Sequence, residues 1–167
     1  MSDVWRQIEE FPNYVVSNRG LICNEKTGRL MALSTNQHGV VLVGLMRDGI
    51  QYKRAVAPLV AEAFLPRPRS KRFNTLIHCD GNAEHNFVEN LLWRPRPFAI
   101  AYHAQFRRPY PNRIHSEVEE VESGHVFANS FKAAISNGLL ERAVVTSVLN
   151  EDYEVFPTRQ RFRLSTV

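Results

Sequence analysis

The sequence predicts an α+β fold in which a small strand-rich module comes first, a compact mixed segment follows, and a small helical module ends the chain after a linker. Short apolar segments between turn residues dominate the first block, whereas apolar residues at helical spacing dominate the last one. A chain of 167 residues, 44% of them hydrophobic, is long enough to bury a core. We place the boundaries of the three blocks at 1–66, 67–108 and 109–167.

The first block is predicted to form strands that lead into a short helix. Residues 14–16 and 40–43 are β-type segments bounded by turn residues. Asp48-Gly49 lies between two strand-like runs and predicts a tight hairpin, because both residue types tolerate a positive φ. The apolar spacing of residues 57–64 predicts a helix with proline at its first position.

The third block is predicted to open with a basic, proline-rich linker and to continue as a strand, two short helices and a terminal strand. Ser130 is predicted to cap the first helix, and Gly138 lies where a glycine ends it. The second helix, predicted at 140–149, leaves Arg142 and Thr146 on its outer face. Two helices around a glycine turn are typical of a helix-turn-helix-like module, although simple packing of two helices fits the same pattern.

Basic residues are concentrated in the middle of the chain. The net charge is +4 and the isoelectric point is about 9.3. No acidic residue lies between Glu62 and Asp80 or between Glu89 and Glu117, while arginines accumulate in both intervals. This segregation suits a polyphosphate partner such as nucleic acid, with a solvated basic loop as the alternative.

Composition also excludes some classes of protein. No apolar run approaches the roughly 20 residues that cross a bilayer, so no membrane partner is expected. The first residues lack the basic and apolar regions of a secretory signal. Cys23 and Cys79 form no metal-binding or disulfide pattern, so we expect two reduced thiols in a cytoplasmic protein.

The sharpest chemical signal is a histidine at the end of an apolar strand, followed by an asparagine-rich loop. The spaced residues are His78, Asp80, Gly81, Asn82, Asn86, Asn90 and Trp93. A neutral histidine on a rigid strand can act as the base for water in phosphodiester hydrolysis, and an asparagine carbonyl can hold its other ring nitrogen in the right tautomer. A divalent metal normally handles the charge on the phosphate.

This segment resembles the ββα-metal HNH motif of phage homing endonucleases, including those encoded in group I introns. Residues 59–64 resemble the helix that precedes the nuclease core, and residues 122–138 resemble the C-terminal DNA-binding repeat. The NUMOD-type N-terminal module is matched at Trp5, Arg6, Ile8, Phe11, Pro12, Tyr14, Val16, Ser17, Asn18 and Gly20. The resemblance implies a DNA endonuclease that binds double-stranded DNA as a monomer in the cytoplasm of a bacterial or phage-infected cell.

The resemblance also implies roles for individual residues. His78 matches the general base, and Asn90 matches the asparagine that orients it. The site-shaping loop comprises Asp80, Gly81, Asn82 and Asn86. Contacts with DNA are expected from Arg67, Arg69, Lys71, Arg72, Arg94, Arg96, Arg107, Arg108, Arg142 and Thr146.

Two positions depart from the family's pattern for binding a divalent metal. Ile77 stands where an Asp or Asn ligand usually precedes the histidine, and Ala99 stands where a helix, here predicted at 98–107, usually supplies an Asn. Mg²⁺ needs oxygen ligands. A site built on His103 and His85 would favour a transition metal, and a packed or exposed His103 is the alternative. Two functions remain, a metal-dependent endonuclease and a DNA-binding or nucleoprotein component that kept the fold without the metal.

Overall fold

The computed structural model describes residues 3–68 and 70–166, and its mixture of helices and strands confirms the α+β class. The chain divides into two compact units, residues 1–95 and residues 96–167. The two strands of the predicted middle block belong to the first unit and its helix belongs to the second. The division of the chain into three modules, at 1–66, 67–108 and 109–167, therefore stays a prediction. Within the described ranges, no helix is long and apolar enough to cross a membrane.

The first unit consists mainly of antiparallel strands. Its elements are β1 (Trp5–Ile8), β2 (Phe11–Ser17), β3 (Ile22–Asn24), β4 (Arg29–Leu30), β5 (Leu33–Thr35), β6 (Val41–Arg47), β7 (Ile50–Ala55), α1 (Val56–Phe64), β8 (Thr75–His78), a 3₁₀ turn (Val88–Asn90) and β9 (Leu91–Arg94). Its sheets have the orders β1-β2-β3-β4 and β5-β6-β7, and β8 pairs with β9.

Local sequence signals account for the hairpin and the helix of this unit. Asp48 and Gly49 have φ angles of 53° and 77°, which confirms the predicted tight turn between β6 and β7. Helix α1 begins at Val56, earlier than predicted, so Pro58 is its third residue rather than its first. Proline is tolerated there because the first N–H groups of a helix have no partner within it.

The core of the first unit joins β2, β6 and α1 to the strand pair that carries the candidate site. Phe11, Leu45 and Val60 are buried in one apolar cluster, and Leu91 of β9 belongs to the same cluster. The backbone of β9, and with it the paired strand β8, is therefore anchored to the core rather than suspended in a surface loop.

The second unit packs helices against a small antiparallel sheet. Its elements are α2 (Arg96–Arg107), β10 (Val118–Glu120), β11 (Val126–Phe127), α3 (Ser130–Ser136), α4 (Glu141–Leu149) and β12 (Phe162–Leu164). The strands have the order β11-β10-β12. The buried cluster includes Val118, Ala134, Val144 and Phe162, which come from strands and from both short helices.

The two short helices are present as predicted, but their first cap differs. Gly138 has a φ of 61° in the turn between α3 and α4. The cap of α3 is Asn129, whose side-chain oxygen accepts a hydrogen bond from Lys132 N at 2.8 Å. Ser130 is fully buried and donates its hydroxyl to Glu141 instead, at 2.9 Å. The prediction of Ser130 as the cap was therefore wrong by one residue.

Candidate active site

His78 ends strand β8 and lies beside the polar loop that follows it. The strand pairs with β9, so that His78 faces Leu91 and Ile77 faces Leu92 in the ladder. His78 is only 8% exposed. A histidine held at the end of an anchored strand, with little freedom of its ring, is well placed for chemistry that needs a fixed geometry.

The ring of His78 is hydrogen-bonded to Asn86. His78 Nε2 lies 2.9 Å from Asn86 Oδ1, and both side chains are buried. The amide nitrogen of Asn86 donates to Glu84 O at 3.4 Å, which agrees with this orientation of the amide. Because an amide oxygen only accepts, Nε2 carries the hydrogen of the neutral ring, and the lone pair is on Nδ1.

Asn90, to which the resemblance assigned the orienting role, holds the loop rather than the ring. Its Oδ1 accepts from Asp80 N at 3.0 Å, and its Nδ2 donates to Asp80 Oδ1 and to His85 O, each at 2.9 Å. The position on the His78 ring belongs to Asn86, which the sequence placed only in the surrounding loop. Asn86 and Asn90 are both part of the sequence motif, but because both are amides the sequence does not show which one contacts the His78 ring.

The remaining loop residues bind one another. Asp80 Oδ1 accepts from Asn82 N at 2.9 Å, and Gly81 has a φ of 78°, as a tight polar turn requires. His85 Nδ1 lies 2.5 Å from Asp80 Oδ2, and His85 Nε2 lies 3.3 Å from the amide nitrogen of Asn82. Asp80 therefore stabilises the turn, and both ring nitrogens of His85 are engaged within it.

The electrostatics of the site favour a neutral histidine beside an ionised aspartate. Burial lowers the pKa of His78, and this effect outweighs the opposing hydrogen bond to Asn86 and the charge of Asp80. Partial burial raises the pKa of Asp80, but hydrogen bonds from His85, Asn82 and Asn90 together lower it. Near neutral pH the imidazole can therefore accept a proton.

Cys79, next to His78 in the sequence, is not a reactive group near neutral pH. Its thiol is half-buried. Burial raises the pKa of the thiol to about 11. Since the thiolate is the nucleophilic form, Cys79 is inert near neutral pH.

The residues present do not fit a divalent metal of the kind the resemblance implies. Ile77 is completely buried and Ala99 is 2% exposed, and neither hydrocarbon side chain can coordinate an ion. Among residues 3–68 and 70–166, no group of three or more His, Cys, Asp or Glu side chains could hold a metal. His103, the other candidate ligand, is half-buried in the second unit with its ring edge-on to Tyr102, at a centroid distance of 6.1 Å.

Most of the residues predicted to contact DNA have exposed side chains. Arg94 is the exception, because it is 7% exposed and donates to Trp93 O at 3.0 Å, so it is not available as a surface contact. Arg69 lies outside the described residues. Arg67 is exposed and lies 3.3 Å from Glu9. The other exposed members are Lys71, Arg72, Arg96, Arg107, Arg108, Arg142 and Thr146.

Comparison with known proteins found a family motif and two relatives that are similar to this chain. Residues 3–45 match the NUMOD4 motif. Two uncharacterized HNH endonucleases of Acanthamoeba polyphaga mimivirus are 36% and 30% identical to this chain over 89 residues. These matches cover 53% of this chain but 26% and 22% of the relatives, so the chain spans about a quarter of the length of the curated relatives it matches.

A solved structure shares the fold of the whole chain. It belongs to the HNH homing endonuclease I-HmuI and concerns that protein's DNA binding and cleavage. The similarity covers 98% of this chain and 99% of that one, with a TM-score of 0.55 and 20% sequence identity.

Proposed function

We propose that this chain, which is related to the HNH homing endonucleases through its NUMOD4 segment, its sequence relatives and its fold, is a DNA-binding nuclease that hydrolyses phosphodiester bonds. The observation that carries the proposal is the buried, neutral His78 held by Asn86 at 2.9 Å. A base of this kind is what the attack of water on a phosphodiester requires.

In the proposed reaction, Nδ1 of His78 accepts a proton from water while the water oxygen bonds to phosphorus. The bond between phosphorus and one sugar oxygen breaks, and this oxygen leaves as an alcohol that takes its proton from solvent. Asn86 keeps the hydrogen on Nε2 and thereby keeps the lone pair on Nδ1. The hydrogen-bonded loop around Asp80 and Asn90 limits movement of the strand end that carries His78.

The proposal assigns no step to a metal, because the available donors do not fit one. A hydrolysis that lacks one electrostatic contact to the developing charge loses a factor of about 10²–10³ in rate. We therefore expect hydrolysis that is slower than that of a nuclease with this contact.

Double-stranded DNA is the proposed partner, because exposed basic residues occur on several surfaces of the chain. Lys71 and Arg72 lie in the loop before β8, Arg107 ends α2, and Arg142 is exposed on α4. Each phosphate neutralised should add about −0.9 to the slope of log affinity against log salt concentration. Binding should therefore weaken steeply with salt.

The second candidate is a DNA-binding or nucleoprotein component that does not cut. The two buried hydrocarbon side chains, Ile77 and Ala99, favour it, because they stand at the positions where the resemblance expects metal ligands. This candidate predicts the same salt-dependent binding but no strand breaks.

The test is nicking of supercoiled plasmid in Mg²⁺, Mn²⁺ or Ni²⁺ by the wild type, by His78→Ala and by the matched control His115→Ala. His115 is exposed and lies outside the site. The proposal predicts nicking by the wild type and the control and loss of most of this rate in His78→Ala. Equal nicking by His78→Ala would overturn the assignment of the base. Binding without nicking in any metal would establish the second candidate, and absence of salt-dependent binding would eliminate both.

A further inference from the structure

We infer that a turn in the N-terminal NUMOD4 segment, residues 17–21, positions Asn86 and through it the ring of His78. The inference rests on the proposed function, because it concerns the geometry of the same base. The N-terminal segment would then help to hold the base in its reactive orientation, in addition to any contact it makes with DNA.

The N-terminal turn is joined to the His78 loop by a backbone hydrogen bond. Val88 N donates to Asn18 O at 2.8 Å, just after the segment that contains Asn86. The turn is itself held on its other side, because Val4 N donates to the side chain of Asn18 at 2.9 Å. Val88 is thus hydrogen-bonded to a turn that is itself held by Val4, the residue just before β1.

Buried polar contacts also fix the turn from inside. Ser17 is completely buried, and its hydroxyl accepts from Arg19 N at 3.2 Å and from Leu21 N at 3.0 Å. Leu21 O accepts from Ser17 N at 2.8 Å. The turn therefore has little freedom to retreat from the loop.

Gly20 is the point of closest approach to the loop. Its φ is +84°, and a Cβ atom placed on it would lie 3.1 Å from Asn86 Cβ and 3.1 Å from Asn86 O. Both atoms belong to the backbone or to the root of the side chain, so neither can swing away like the end of a flexible side chain. Any side chain at Gly20 must push Asn86 by a few tenths of an ångström.

A shift of Asn86 Cβ would be transmitted to the catalytic histidine. The same Cβ carries the amide whose oxygen binds His78 Nε2 at 2.9 Å. Hydrogen bonds weaken as distance and angle depart from their optimum. Substitution of Gly20 should therefore loosen the ring of His78 and lower the turnover rate more than the affinity for DNA.

The test compares Gly20→Ala with Gly39→Ala in the full chain. Gly39 has a similar φ of +77° but nothing within 4 Å of an added Cβ, so this control carries the backbone strain without the contact. The main readout is the proton on His78 Nε2, observed by NMR in ¹⁵N-labelled protein and identified by its loss in Asn86→Ala. We expect this proton to exchange with water about three- to tenfold faster in Gly20→Ala than in Gly39→Ala or the wild type, as for one weakened hydrogen bond.

The second readout is the rate of plasmid nicking at saturating DNA. This rate should fall about tenfold or more in Gly20→Ala, as expected for a misplaced catalytic group. The affinity for DNA should be the same in Gly20→Ala and Gly39→Ala. An Nε2 proton unchanged in Gly20→Ala would overturn the inference. A changed proton together with a wild type that never nicks DNA would retain the inference and reject the proposed nuclease.

A second variant covers the case in which Gly20→Ala does not fold. Val88→Pro removes the N–H that binds Asn18 O, and it lies at the first position of the 3₁₀ turn, after Phe87 with a ψ of 147° that suits a following proline. The same faster exchange is expected in Val88→Pro, and exchange like that of the wild type would contradict the inference. Failure of both variants to fold, with Gly39→Ala folded, would reduce the turn to a structural support and also overturn it.

Discussion

At the scale of single residues, the state of the candidate base depends on two buried side chains. His78 is neutral because its burial disfavours the charged ring, and Asn86 selects which nitrogen holds the hydrogen. The stability that comes with burying a neutral ring is fully present above the ordinary histidine pKa of about 6.5. It decreases as the pH falls from there toward the lowered pKa of the folded protein.

The hydrogen bond from Asn86 opposes the effect of burial on His78, which leads to a prediction for its titration. The midpoint should lie below about 6.5 in the wild type, and Asn86→Ala should move it lower still, because this bond raises the pKa of the ring. NMR titration of the His78 ring protons measures both values. A midpoint that rises in Asn86→Ala would contradict the assignment of Asn86.

At the scale of elements, an ion pair with a buried carboxylate supports the start of α4. Glu141 is the first residue of the helix and is 1% exposed, and Arg113 from the preceding linker binds both of its oxygens, at 2.7 and 2.8 Å. Ser130 of α3 donates to the same carboxylate. Arg113 is thus part of the packing of the second unit, whereas Arg107 and Arg108, at the end of α2, are exposed.

Removal of Arg113 should leave a buried charge with only one remaining side-chain partner. Arg113→Ala is expected to lower the free energy of unfolding by about 3 kcal/mol, the lower end for breaking a buried pair from one side, because the side chain of Arg113 is itself 23% exposed. Arg108→Ala, an exposed arginine of the same linker, should change it by about 0.5 kcal/mol or less. Urea denaturation measures both variants, and equal effects would show that the Arg113–Glu141 pair does not support α4.

Local patterns predicted the elements better than they predicted contacts between them. The hairpin at Asp48-Gly49 and the glycine turn at Gly138 follow from residues that tolerate positive φ, so neighbours in sequence sufficed. The cap of α3 was misplaced because Asn129 and Ser130 are adjacent and both can accept from a backbone N–H. Spacing alone could not choose between two such residues.

The candidate site shows the same limit. His78 and its loop were recognisable because the whole motif is local in the sequence. The sequence did not reveal that Asn86 contacts the His78 ring while Asn90 holds the loop. Two amides of identical chemistry differ only in where the folded loop places them. The approach of Gly20 to Asn86 joins segments far apart in the chain, and only the fold brings them together.

At the scale of the whole molecule, the chain combines an anchored histidine site with exposed basic residues in both units. The fold similarity to an HNH homing endonuclease spans 98% of the chain, whereas the sequence similarity to curated relatives spans 53% of it. The positions where the resemblance expects metal ligands, Ile77 and Ala99, carry buried hydrocarbon side chains. Binding as a monomer and a cytoplasmic location stay predictions from the sequence.

The dependence of the nicking rate on pH tests most directly whether neutral His78 is the base. The rate at subsaturating plasmid, which reports the protein before it binds DNA, should be constant near neutral pH and should fall on acidification with an apparent pKa below about 6.5, since protonation of a buried ring removes its lone pair. His115→Ala should reproduce this profile, and His78→Ala should lack both the acid limb and most of the rate. An acid limb of the same position and size in His78→Ala would contradict the account.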